Sequence, residues 1–281
     1  MPFVDTKRGK IYFRLRGQGP AILLLHGIER TSDNWGSFPK ELAKEHTVIV
    51  MDHRGSGQSS AQMKWSDRIE DLAEDAAIVM QESQITTYGV FGLSLGGMVA
   101  LALAHKFPQR VEYLVVANTS VKGLGCMRLT PTATLLTMGT HLTPWLNTAV
   151  IAILCSAKSS SWNQRIALWQ DLQSKIRRFG WERETTTKYL LAALRFELPE
   201  FKSICPTLLL TGAEDRFVSP QNTHKILKTL QEQGHRHCLS LVTLERGGHE
   251  LGFEHSKLVH EKVEQFIGSN LHPLNRQKYS I

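Results

Sequence analysis

"VFGLSLGGMV" occupies residues 90–99 and sets a serine among glycines where one periodicity gives way to another. Val90 and Phe91 close a β-rich run, whereas "GMVALALAHKF" from Gly97 reads as a helix, so Ser94 falls in the turn between them. Serine is a mediocre former of either element, and glycine gives up order for backbone freedom. The pattern therefore requires a sharp turn. A tight strand-to-helix turn pushes a serine oxygen out above the sheet, and glycines let neighbouring backbone pass close by.

Outward from this turn the chain alternates. "IYFRLRG" (11–17) and "AILLLHG" (21–27) read as neighbouring strands, with Gly17, Gly19 and Pro20 marking the turn. "HTVIVMDHRG" (46–55) is a strand ending in a loop, and "IEDLAEDAAIVMQES" (69–83) carries apolar residues at helical spacing. "YGVFG", "VEYLVVANTS" (111–120), "PTLLLTG" (206–212) and "CLSLVTLERGG" (238–248) supply further strands. "SPQNTHKILKTLQEQG" (219–234) starts with Ser-Pro and ends in Gly, which are helix start and stop signals, and "HSKLVHEKVEQFIGSN" gives a closing helix. Continuous apolar strands separated by helices imply a mainly parallel sheet covered on both faces. The alternation breaks from about 121 to 203, where "SWNQRIALWQDLQSKIRRF" places Trp162, Ile166, Trp169, Leu172 and Ile176 at helical intervals. This stretch reads as a helical insertion, with its tryptophans as packing residues.

Composition bounds the function. At 281 residues, 42% hydrophobic and 21% charged, the chain reads as a globular α/β domain or a core with an inserted subdomain. "MPFVDTKRGKIYFRLRG" lacks the apolar stretch of a secretory signal. The longest apolar run, "PWLNTAVIAILCSA" (144–157), is shorter than the roughly 20 residues a membrane span takes, and reads as a buried or pocket-lining helix, with a membrane-surface contact as the alternative. Cys126, Cys155, Cys205 and Cys238 lie far apart with no CxxC, which argues against a zinc site or a disulfide framework and for reduced thiols in the cytoplasm. The net charge of +7 is local: residues 121–205 hold eleven Lys/Arg against five acids. No nucleic-acid-binding motif accompanies those basic residues.

A serine at its free pKa is a poor nucleophile and needs a base, which in turn needs an orienting acid. Among the twelve histidines, His235 and His237 precede the last strand, and His255 and His260 fall beside or within the final helix. Only His249 follows that strand immediately, in a glycine-loosened loop. "LLLTGAEDRFVSP" sets Glu214 and Asp215 in the loop after an earlier strand, and adjacency leaves both open as the acid. A developing oxyanion needs donors. The amide of Leu95 starts a helix, and "LLLHGIERTSDNW" offers the amide of Ile28 after His26 and Gly27.

With these residues the chain resembles the α/β-hydrolase family, in its HG-x esterase-like branch. The resemblance rests on His26-Gly27, the Asp52–Ser59 loop "DHRGSGQS", the Gly92-Leu93-Ser94-Leu95-Gly96 elbow, Gly212-x-x-Asp215 and Gly248-His249. It implies an α/β-hydrolase fold with an eight-stranded, mainly parallel sheet, a core of 1–120 and 204–281, and a helical cap of 121–203. It favours Asp215 over Glu214, makes Ser94, Asp215 and His249 the catalytic set, and gives Asp52, Arg54 and His26 structural work. Serine at the elbow argues against the dehalogenase and epoxide-hydrolase members, which the resemblance associates with aspartate there. The implied activity is hydrolysis of a carboxylic ester, lactone or thioester without metal or organic cofactor. Trp35, Leu146, Trp162 and Trp169 are the pocket candidates. Arg177, Arg178, Arg183 and Arg195 suggest either a solvated helix face or docking of an acidic carrier protein or CoA thioester. Acyl transfer and a non-enzymatic ligand receptor are the competing activities.

Overall fold

The computed structural model describes residues 2–122, 143–180 and 183–271. Cys126, Arg128, Glu182 and part of the expected insertion lie outside them. The strands β5 (Tyr88–Leu93) and β7 (Thr207–Gly212) are buried along their whole length, and β3 (Ala21–Leu25), β4 (Thr47–Met51) and β6 (Val111–Ala117) nearly so. Runs that are apolar at every position need cover on both faces, and they receive it. Against one face pack α2 (Ile69–Glu82), α3 (Leu95–Lys106) and, through Ile226 and Leu230, α7 (Gln221–Glu232). Against the other pack α1 (Phe38–Leu42) and α9 (Ser256–Leu271), through Phe38, Leu42, Val259, Val263 and Phe266. A short α8 (Leu251–Glu254) precedes α9.

With β1 (Phe3–Thr6), β2 (Gly9–Arg16) and β8 (Leu239–Leu244), the sheet runs β1-β2-β4-β3-β5-β6-β7-β8. The β1–β2 and β2–β4 pairings are antiparallel, and the remainder are parallel. The strands read as neighbours at 11–17 and 21–27 are thus separated by β4, which pairs Met51 with Phe13 on one side and Ile49 with Leu23 on the other. The turn between them explains the departure. Gly17 has φ +84°, and a Cβ there would lie 2.2 Å from the His46 carbonyl oxygen, so the turn packs over the entry to β4. The Thr47 amide then donates to the Pro20 carbonyl, and the returning strand fills the slot a hairpin would have used.

The Asp52–Ser59 loop braces the C-terminal edge of the sheet. The Asp52 carboxylate accepts from the Ser32 amide at 2.6 Å and the Gln58 amide at 2.7 Å. Arg54 reaches Asp75 on α2 through two bonds of 2.6 and 2.7 Å, with both groups buried. Burial holds the Asp75 carboxyl above its ordinary range against the opposing pull of Arg54.

Between β6 and β7 the described chain is helical, apart from one bridge between Lys122 and Glu197. It forms α4 (Pro144–Cys155), α5 (Trp162–Phe179) and α6 (Arg183–Arg195). Ser161 caps α5 by accepting from the Gln164 amide. The packing face differs from the one read in the sequence: Leu168, Leu172 and Lys175 are buried, whereas Ile166 is exposed and Trp162 is 72% exposed. Trp162 opens the first turn and lies under the Arg165 guanidinium, while Leu168 and Leu172 meet Ala152 and Cys155 of α4. No described helix is long and apolar enough to cross a membrane.

Removing one partner of a buried ion pair strands the other charge, at a cost of about 3–5 kcal/mol. Arg54→Ala should lower the unfolding free energy in urea by that order. An unchanged midpoint would show that the Arg54–Asp75 link does not brace this edge.

Candidate active site

Ser94 sits at φ +58° and ψ −118°, in the left-handed half of backbone space that a side chain other than glycine adopts only under tertiary constraint. Its amide donates to the Ala117 carbonyl at 2.9 Å, and its carbonyl accepts from the Gly97 amide and the Thr119 hydroxyl. The flanking glycines are required by close approach. A Cβ on Gly96 would lie 1.9 Å from the Leu25 carbonyl oxygen, and one on Gly92 would lie 2.2 Å from the Gly96 carbonyl oxygen. The chain leaves β5, turns at Ser94 and lays α3 directly against the end of β3.

Asp215 and His249 come together from the loops after β7 and β8. His249 Nδ1 donates to Asp215 Oδ2 at 2.8 Å, and the other carboxylate oxygen accepts from the Phe217 and Val218 amides at 2.8 and 2.9 Å. Both side chains are buried. Burial pulls the His249 imidazolium down, but the Asp215 charge and hydrogen bond, with Glu250 adding to them, outweigh it and raise the pKa above 6.5. Glu214, the adjacent acid, turns away and accepts from the Ser159 amide at 2.6 Å. The bond to Asp215 occupies Nδ1 and leaves Nε2 as the outward nitrogen of His249. Among the described residues neither Nε2 nor the Ser94 hydroxyl has a hydrogen-bond partner, so the Asp215–His249 link is formed and a Ser94–His249 hydrogen bond is not.

Two amides border the same turn. Among the described residues neither the Ile28 nor the Leu95 N–H donates a hydrogen bond, and Leu95 begins α3, where helix amides are unsatisfied and the dipole is positive. The loop carrying Ile28 crosses beside the serine: a Cβ on Gly27 would lie 3.2 Å from Ser94 Cβ. His26 holds that loop. Its Nε2 accepts from the His53 amide at 3.2 Å, and the two imidazole rings lie 4.3 Å apart. Burial, aided by the nearby Lys175 and Arg30 charges and opposed by the Gly27 carbonyl, drives His26 down to about 4.

The other candidates disperse. Trp35 is 2% exposed and packs on Phe38 and Phe91 in the core, because the turn ahead of α1 directs its ring under the sheet. It also lines a groove of about 370 Å³, together with residues of β2, β4 and the α1 region and with none of Ser94, Asp215 and His249. Trp162 stands in solvent, Leu146 is exposed in the first turn of α4, and Trp169 meets Trp145 edge-on at 5.8 Å. Arg178 pairs with Asp33 at 2.9 Å and Arg195 donates to the Trp65 carbonyl, so these two tie the insertion to the core; Arg177 and Arg183 are exposed.

Two features escaped the sequence reading. Asn118, at φ +44°, accepts from the Gly212 amide and donates to the Gly248 and His249 carbonyls, joining β6, β7 and the histidine loop. Its signal was a polar residue directly after an apolar strand. Arg30 and Glu250, 220 positions apart, form a buried pair at 2.8 Å, for which no local pattern exists.

Comparison with known proteins agrees with this architecture. The family model described as alpha/beta hydrolase fold matches residues 20–256. An uncharacterized protein of Mycobacterium tuberculosis is 37% identical over 106 residues, 38% of this chain and 31% of its own. A putative carbamate hydrolase of Azorhizobium caulinodans is 30% identical over 128 residues, 46% of this chain and 48% of its own. The chain thus spans under half the length of these curated relatives. Among solved structures, the enol-lactonase of Burkholderia xenovorans LB400 has a TM-score of 0.77 at 20% identity, covering 95% of this chain and 99% of that one. An esterase of Thermogutta terrifontis has a TM-score of 0.74 at 21% identity, covering 95% and 97%. At these identities the solved structures speak for the fold, and the match over residues 20–256 carries the assignment: this chain belongs to the α/β-hydrolase family.

Proposed function

We propose that the protein is a serine hydrolase of carboxylic esters, lactones or thioesters. The observation that carries this reading is the buried Asp215–His249 pair, from the loops after β7 and β8, on the sheet edge that also carries a strained serine turn and two amides with no acceptor. Asp215 fixes the imidazole with Nδ1 protonated, so Nε2 can take the Ser94 proton as Oγ bonds to the substrate carbonyl carbon. The carbonyl oxygen becomes negative and settles on the Ile28 and Leu95 amides. His249 then returns its proton to the leaving alkoxide or thiolate as that bond breaks. A water, deprotonated by His249, clears the acyl group from Ser94. The reading requires the serine and the imidazole to come within hydrogen-bond reach when substrate arrives, as catalytic hydrogen bonds tighten in the reactive complex.

The names of relatives support this class: they include an enol-lactonase, an esterase and a putative carbamate hydrolase. Docking of a carrier protein or CoA thioester on the four insertion arginines loses support, because Arg178 and Arg195 already hold partners in the core. Hydrolysis and acyl transfer share the same acyl-enzyme, and product analysis with added alcohol or thiol separates them.

A fluorophosphonate probe should label the native protein at Ser94, and Ser94→Ala should lower turnover of p-nitrophenyl esters by at least about 10⁴-fold. Undiminished turnover would sink the reading.

The pH profile gives a second check. The working base is neutral His249, so kcat/KM should fall with acid, with a midpoint above 6.5 in the wild type. Asp215→Asn removes the raising influence and leaves burial in command, so that limb should move below 6.5 while kcat drops by roughly 10⁴-fold. A limb that stays in place would assign the titration to another group.

A further inference from the structure

We propose that the buried Arg30–Glu250 pair is a positioning device: it ties the loop carrying the Ile28 amide to the loop carrying His249, so that oxyanion donor and base keep a fixed relation. The proposal rests on the ester-hydrolase reading and assigns that site two positioning residues.

Arg30 stands two residues after Ile28, and Glu250 directly follows His249. Arg30 Nε and Nη2 both donate to Glu250 Oε1, at 2.9 and 2.8 Å, and both side chains are buried. A pair this deep resists separation, because moving the two loops apart strands a charge on each. Asp171 of α5 adds a second negative charge near Arg30 and helps hold the guanidinium ionised.

The loop after β3 needs such a tie. Glu29, between Ile28 and Arg30, has φ +58°, a conformation that a residue with a side chain keeps only where its surroundings hold it. Its carboxylate accepts from the Thr186 hydroxyl at 3.2 Å, and the residue after it is pinned by Glu250. Relaxation of Glu29 to a negative φ would reorient the chain through Ile28. On the other loop, the His249 and Glu250 amides both donate to the Cys155 carbonyl of α4, at 2.7 and 3.3 Å. Those bonds fix the histidine backbone against α4, and Arg30 fixes it against the loop after β3.

Charge gives the pair a second effect. Asp215 and Glu250 favour the His249 imidazolium, and Arg30 opposes it. Burial pushes the nearby Cys155 thiol up, so it stays neutral, and Glu254 of α8 is held by the Gly248 and Ala157 amides. The pair therefore balances its own field at the base.

The test separates positioning from mere support. Arg30→Met and Glu250→Met should each lower the Tm and cut kcat on the best p-nitrophenyl ester by roughly 10²-fold, with KM changing by less than about threefold. The double variant Arg30→Met/Glu250→Met strands no charge, so its Tm should return towards that of the wild type. Its kcat should stay at least about tenfold down, because two thioethers make no directed link between the loops. A pair that only supports the fold would recover kcat together with Tm. Glu250→Gln removes one favourable charge and leaves Arg30, so the acid limb of kcat/KM should move to lower pH. A double variant with wild-type kcat, or an acid limb that stays in place in Glu250→Gln, overturns the proposal. If the single methionine variants do not fold, the double variant and Glu250→Gln decide. Failure of the hydrolase reading looks different: the wild type itself turns over no ester and Ser94 takes no fluorophosphonate.

Discussion

One approach of backbone to backbone governs this molecule, that of Gly96 onto the Leu25 carbonyl oxygen. No side chain larger than hydrogen fits there, and only with that contact made can α3 begin immediately after β5. The turn that results holds Ser94 in a backbone conformation it would not choose alone. It also sets the first amide of α3 beside the loop that leaves β3. The parallel sheet does the rest, because every parallel strand ends at the same edge. Loops from β3, β5, β6, β7 and β8 therefore converge without any single one being long.

Polar groups at that edge divide by what they face. His26, Asp52, Arg54 and Asp75 are satisfied by one another or by backbone, burial keeps His26 neutral, and His53 bonds to His26 but leaves Nδ1 buried without a partner. They fix the loops. Ser94 Oγ, His249 Nε2 and the two free amides are unsatisfied, and unsatisfied polar groups in a protected place are where a ligand gains most. Asn118 connects the two sets. One side chain bonds to the exit of β7 and to both carbonyls around His249, so the acid and the imidazole share a rigid base.

Much of this was legible in the residues. Buried strands announced themselves as unbroken apolar runs, and α2 by its 3.6-residue spacing. Ser94 and His249 were legible because each lies directly after a strand, where chain direction fixes location. The failures share a cause, which is dependence on partners distant in the chain. The order β2-β4-β3 hinges on where Gly17 packs against His46, and Trp35, held by Phe38 and Phe91, lines a groove that does not include Ser94. Glu214 and Asp215 are indistinguishable by position until one meets Ser159 and the other His249. The buried stripe of α5 was misjudged because its outer rows, including Asp171 and Arg178, answer to the loop after β3 and not to an apolar neighbour.

The inserted helices are fastened to the sheet by a handful of polar threads: Asn34 to Asp171, Asp33 to Arg178, Glu29 to Thr186, and Tyr189 to the Arg54 carbonyl. These four anchor points on the sheet side belong to two loops, and the chain after β7 and β8 adds more, with Glu214 on the Ser159 amide, the His249 amide on the Cys155 carbonyl and Glu254 on the Ala157 amide. An insertion of different sequence needs to meet this set of acceptors and donors to sit in the same place. Diversification can thus proceed by exchanging the roof while the foundation stays untouched, and a lineage built this way can change what it recognises without relearning how it reacts.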